Sequence, residues 1–235
     1  MLAPNKLTTS QTNPLLTLTK KKYMKGKIFN SKEVQAIIAG KKTMFREVVS
    51  NAIYDHYVHS YKDWHKDGCY YPIATMVDEN NKRKQTQYDF KAVKPKFQVE
   101  QEIFVKETFA KWWNNSFVYK ADITPEKVVS RWYLSQYMKQ KQSRITLKIK
   151  SVKVERLQDI SESDVMKEGC YLTEDDMGQP IFGFCKEEVD QELGYRKAQN
   201  AYKIYWNSNH KKQEQKWEAN PWVFAYEFEI INLKK

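Results

Sequence analysis

Cysteine is scarce in this chain. Cys69, Cys170 and Cys185 are the only three in 235 residues. So sparse and odd a set is not a disulfide framework and fits a reducing cytoplasm. Long hydrophobic runs are missing too. No apolar stretch approaches the roughly 20 residues that a membrane span needs, so a membrane partner is not expected. Leu15-Leu16-Thr17-Leu18 is too short for the apolar region of a signal peptide and runs into a Lys cluster. Internal repeats are absent. His56, His59, His65 and Cys69 crowd one window, but no second Cys/His pair follows at zinc-finger spacing. They read as surface histidines among aromatic residues, with no metal and no cofactor implied.

Negative charge is in short supply. Lys and Arg number 40 against 29 Asp and Glu, a net charge of +11, and the pI is about 9.3. Aromatic side chains are abundant, with 15 Tyr, 11 Phe and 7 Trp. Cations that neutralise phosphates release counterions, and Tyr and Trp offer flat faces to bases. Together they point to RNA, with single-stranded DNA also compatible. A Lys-rich surface that merely keeps the protein in solution is the plainer alternative.

Residues 1–22 lack periodicity and end in Lys20-Lys21-Lys22, which reads as a basic flexible tail. Ser31 is a candidate helix cap. Val34, Ile37 and Ile38 then make one apolar stripe, and Gly40 supplies the stop. Residues 50–97 carry little pattern; Asp78 to Gln87 reads as an exposed hairpin tip or loop. Ile103-Phe104-Val105 and Ser116 to Tyr119 are strand-like, and Thr124-Pro125 can open a short helix. Ile145, Leu147 and Ile149 alternate with polar residues, and the phase shifts at Ser151, which predicts a bulge or bend. Ser161 and Asp164 suggest a second short helix stopped by Gly169. Glu187 to about Asn207 reads as one helix, with Ala198, Ala201, Tyr202, Tyr205 and Trp206 sharing a face. Trp222, Phe224, Tyr226, Phe228 and Ile230 alternate with Val223, Ala225, Glu227 and Glu229, a strand with one wet face. Strands scattered around short helices without βαβ alternation imply α+β with a curled sheet.

Gly40-Lys41-Lys42-Thr43 is not a phosphate-binding P-loop. The segment ends a helix rather than opening one, and Gln35 stands where the first loop glycine belongs. Ala39-Gly40-Lys41-Lys42-Thr43 instead resembles the Gly-Arg-Lys-Thr motif of the ASCH family, small β-barrels of the PUA-like group. Glu155-Arg156-Leu157-Gln158-Asp159-Ile160, with Ser161 to Gly169, resembles a phage-encoded branch. So do Ser143-Arg144-Ile145, Tyr119-Lys120-Ala121-Asp122 and Asn220-Pro221-Trp222. The resemblance implies a PUA-like curled barrel over residues 23–235, with insertions at about 50–97 and 170–217. It implies RNA or a modified nucleoside as ligand. One branch consists of amidohydrolases acting on acylated cytidine, with a Lys, a Thr and a Glu in the active site. Lys42 and Glu168 match the Lys and the Glu. The Thr position is Phe45.

The functional reading is therefore RNA or modified-nucleoside binding in a basic, aromatic-lined cleft. Its residues are Lys41, Lys42, Thr43, Phe45, Arg46, Trp112, Trp113 and Arg144, with Lys42 and Glu168 as the candidate catalytic pair. Lys42 and Glu168 equally suit a plain ion pair, and Arg144 a solvated strand-face cation. Trp112 and Trp113, beside Asn114 and Asn115, are the better stacking candidates, whereas Trp222 belongs to the core. Two other classes stand beside this reading. One is a hydrolase, either an amidohydrolase or a ribonuclease, using Lys42 and Glu168. The other is a phage assembly or host-interaction protein. Oligomeric state is not legible.

Overall fold

The computed structural model describes residues 23–49, 58–64, 69–77, 83–86, 93–122, 129–191 and 193–234. The expected tail 1–22, the Thr124-Pro125 helix start, His56 and His65 lie outside them.

The chain opens with β1 (Lys25–Ile28), α1 (Ser31–Ile38) and β2 (Met44–Val48). The cap of α1 is Asn30 rather than Ser31. Its side chain accepts from the Glu33 amide, and Glu33 returns a bond to the Asn30 amide. Asn30 supplies the acceptor, so Ser31 becomes the first helical residue. Gly40 takes a left-handed conformation just past the helix.

Three strands follow in the stretch 50–97: β3 (Val58–Trp64), β4 (Cys69–Val77) and β5 (Arg83–Thr86). They pair as a separate antiparallel sheet. Arg83–Thr86, expected in a loop, is a strand because it pairs with β4. His59 falls on β3 and Cys69 on β4. Tyr70 ties this sheet to the rest through a hydrogen bond to the Val152 carbonyl.

The chain continues with β6 (Glu102–Lys106), the separate two-stranded hairpin of β7 (Phe109–Lys111) and β8 (Phe117–Tyr119), and the long β9 (Ile145–Arg156). Then come α2 (Glu162–Lys167), the hairpin of β10 (Tyr171–Glu174) and β11 (Pro180–Gly183), α3 (Lys186–Asp190), α4 (Ala198–Asn209) and β12 (Trp222–Leu233). Glu187 to Asn207 is thus two helices, not one. The segment between them includes Gly194, where a Cβ would lie 2.3 Å from Ile181.

The five-stranded sheet has the order β1-β6-β9-β12-β2. β1 is parallel to β6 and the other pairs are antiparallel. The protein is a mixed α+β fold built on this sheet. The pairing of β9 with β12 skips Lys150, next to the predicted phase shift, and skips again at Ile231. Such bulges increase local twist. Among the described residues the sheet does not close by hydrogen bonding. Its outer strands nevertheless come together: Lys27 on β1 pairs with Glu47 on β2 at 2.8 Å, and Phe29 packs edge-on against Phe45.

The core has two parts, one on each face. Phe29, Phe45, Ile103, Leu147, Phe224 and Tyr226 belong to the larger. Leu157, Val165, Ala201, Tyr202, Trp206 and Val223 belong to the smaller. β12 therefore has no wet face over its first half: Val223 and Ala225 are buried as fully as Phe224 and Tyr226. The α2 and α4 layer covers the side that alternation left for solvent, and polar exposure starts only at Glu227. No helix among the described residues is long and apolar enough to cross a membrane.

Candidate functional site

Two short backbone links assemble the site. The Thr43 amide donates to the Lys167 carbonyl at 2.8 Å, and Lys42 and Glu168 form an antiparallel bridge. The turn after α1 is thereby zipped to the end of α2. Gly169, at φ +96°, permits the approach: a Cβ there would sit 3.3 Å from the Cβ atoms of Ala36 and Lys42.

This pairing drives the Lys42 and Glu168 side chains together. Lys42 Nζ donates to Glu168 Oε2 at 2.8 Å and to the Glu168 carbonyl at 2.9 Å. Lys42 is 1% exposed and Glu168 3%. Glu33 Oε1 lies 3.6 Å from Lys42 Nζ, beyond hydrogen-bond distance. An ammonium has three donors; two bond Glu168, and the third has only the longer ion pair to Glu33 among the described residues.

Arg46, on β2, closes the far side of Glu168. Nη1 donates to Glu168 Oε1 at 2.9 Å and to Met44 Sδ, Nε to Glu155, and Nη2 to Glu155 and Asp164. All five of its N–H donors are engaged. Lys153 bridges the same two acids, Asp164 at 2.7 Å and Glu155 at 3.0 Å. Burial by itself would lower the Arg46 pKa, but the charges of Glu168 and Glu155 raise it, so the guanidinium stays charged.

From α4, Tyr202 hydroxyl reaches Glu168 Oε1 at 3.4 Å and Tyr205 hydroxyl donates to Glu33 at 2.8 Å. Burial first, and then Glu168 and Glu33 respectively, push both phenols well above their usual pKa. Both therefore remain proton donors near neutrality. His210 stacks on Trp206 at 3.8 Å, and burial lowers its pKa.

Lys42, Arg46, Glu168, Tyr202, Tyr205 and His210 line a cavity of about 520 Å³ along the outer strand β2. Its wall holds three cations, Lys27, Lys42 and Arg46, and three acids, Glu33, Glu47 and Glu168. The expected basic cleft is instead balanced in charge, because acids from α1, β2 and α2 accompany each cation. Glu33, Glu168 and Tyr205 also border a second cavity of about 780 Å³ that runs toward Tyr171 and Cys185.

The other expected site residues scatter. Phe45 does line the cavity, but its ring is buried and stacked on Tyr226 at 4.8 Å. Thr43 is half-buried and outside the cavity wall; Lys41 is exposed, its ammonium 4.4 Å from the Tyr171 ring centre. Arg46 meets no phosphate, since carboxylates and Met44 engage every donor. Arg144 is neither a phosphate contact nor a solvated cation. It is buried, bidentate to Glu107 at 3.0 Å, bonded to Asp122 and stacked over Tyr119. Trp112 and Trp113 line a separate cavity that shares no residue with the Lys42 site. Among the described residues no group of three or more potential metal ligands is assembled.

Glu155, Asp164, Tyr202 and Tyr205 were legible only as strand, cap and helix-face residues. A signal for the last two was two phenols one turn apart on a face otherwise carrying Ala and Trp. Comparison of the chain with protein-family models, with curated proteins and with solved structures gives no match.

Proposed function

We propose that the protein is a PUA-like ASCH domain that holds a modified nucleobase or nucleoside, free or within RNA, in the Lys42–Glu168 cavity. The observation that carries this reading is the charge balance of the cavity combined with a Lys42 donor held only by a long ion pair to Glu33. A site matched in charge disfavours a bare phosphate and suits a neutral planar ligand bound by its polar edge. Lys42 offers a donor to a carbonyl oxygen. Glu33 and Glu168 offer acceptors to amino groups, and Tyr205 supplies an aromatic wall. The approach of the two outer strands through Lys27–Glu47 and Phe29–Phe45 fits the curled barrel that the resemblance implies.

Binding is favoured over hydrolysis at this site. Phe45 carries no hydroxyl for Lys42 to activate, and the nearest phenols are held protonated by burial and by carboxylates. Titration calorimetry with cytidine and acetylcytidine, alongside chromatography of the same mixtures, tests this. Saturable binding without turnover, lost in Lys42→Ala, is expected. Turnover lost in the same variant would make the site an amidohydrolase. No binding of either nucleoside would reject the reading.

A further inference from the structure

The hairpin of β7 and β8 projects the most exposed tryptophan of the described residues. Trp113 is 86% exposed, and no other ring packs on it among those residues. One exposed ring is ordinary on a protein surface; what surrounds this one gives it meaning. The tip that carries it is tightly built. Trp112 amide donates to the Ser116 carbonyl, Asn115 amide to the Trp112 carbonyl, and Ser116 amide to the Asn114 side chain. Asn115 takes the left-handed conformation that closes the turn.

Beside the tip lies a cavity of about 540 Å³. Its lining includes two cations, Lys111 and Arg131, and no Asp or Glu. Neither cation has an acidic partner among the described residues. In this it is the reverse of the Lys42 cavity. Arg131 lies 5.4 Å over the Tyr133 ring, and Tyr133 in turn stacks on Phe109 at 5.5 Å. Tyr133 is anchored by two backbone hydrogen bonds to Phe109. The surface thus sets the free ring of Trp113 beside two cations that have no acidic partner among the described residues.

We propose that this hairpin is a docking platform for a single-stranded nucleic acid. Bases stack on Trp113, and the backbone phosphates meet Lys111 and Arg131, the latter held over the Tyr133 ring. Stacking tolerates any base, because every base has a π-face, and the cations read only the backbone. The platform does not depend on what the Lys42 cavity holds. It would give a strand a grip independent of any base placed in that cavity.

Fluorescence anisotropy of labelled oligouridylate and oligothymidylate tests the proposal. Trp113→Ala should weaken binding on the order of tenfold. The Lys111→Ala/Arg131→Ala double variant should reduce the slope of log affinity against log salt by about 1.4, or about 0.7 per lost phosphate contact. Trp113 dependence with either strand supports the platform. Nucleoside binding at Lys42 should be unchanged by Trp113→Ala, so the two sites fail separately. Unaltered oligonucleotide affinity in Trp113→Ala would overturn the proposal. So would a base-free polyphosphate that binds as tightly with the same Trp113 dependence, which would point to an acidic protein partner instead.

Discussion

Glu168→Gln is the most revealing single substitution in this fold. It preserves side-chain shape and removes one charge from a buried cluster. In the wild type Glu168 accepts from Lys42 at 2.8 Å, from Arg46 at 2.9 Å and from Tyr202 at 3.4 Å. Arg46 keeps Glu155 and Asp164 after the change. Lys42 keeps no closer acid than Glu33 at 3.6 Å, so the uncompensated charge falls on Lys42. Removing one partner of a buried ion pair costs about 3–5 kcal/mol. The lower end applies, roughly 3 kcal/mol, because Arg46 is still paired. Lys42→Met should cost less, since Glu168 retains two donors. The double variant should recover at least about 1 kcal/mol relative to the sum of the singles. Urea unfolding followed by both tryptophan fluorescence and circular dichroism measures this, with coincident transitions required. A Glu168→Gln protein within about 0.5 kcal/mol of wild type would refute the picture of a closed, ionised cluster.

Other outcomes follow from the same geometry. Burial pushes the Cys170 thiol up to about 12, so native protein should leave it unalkylated while half-exposed Cys185 reacts, as peptide mapping would show. Because the folded thiol ionises later than the unfolded one, this contribution to stability is intact below about pH 9 and is lost as pH rises toward 12. Burial raises the Asp164 carboxyl, but the Lys153 hydrogen bond and the Lys153 and Arg46 charges outweigh it and hold the pKa below 3.8. Its contribution is therefore present above that value and lost as pH falls through the folded pKa, and Asp164→Asn should flatten the acid limb of the stability profile. Phe45→Thr restores the hydroxyl of the hydrolase motif but empties a core ring position, costing about 3–5 kcal/mol. Unmodified protein should hydrolyse acetylcytidine negligibly, and any turnover should appear only in that variant.

The parts of the fold governed by local chemistry were readable in the sequence. The stripe of Val34 and Ile37, the stops at Gly40 and Gly169, the Ser161 cap and the phase shift near Ser151 each reflect a short-range rule, and each recurs in the structure; Ile38, read into the same stripe, is exposed, and Ala36 is buried in its stead. Long-range partners were not readable. The buried ion pairs of Arg46 and Arg144 were hidden because sequence does not show the acids that meet them from β9, α2 and the segment after β6. The dry face of β12 was hidden for the same reason, since alternation cannot reveal a second layer packed on a polar-looking side. Lys42 and Glu168 came together as candidates only through the family resemblance. What joins them physically is a backbone bridge across 126 positions.

The central claim is that the Lys42–Glu168 cavity holds a base by its polar edge. A crystal structure of the protein soaked with acetylcytidine tests it most directly. The predicted result is a base lying against Tyr205 with a carbonyl oxygen about 3 Å from Lys42 Nζ. A nucleoside found only on Trp113, with the Lys42 cavity unchanged, would contradict it.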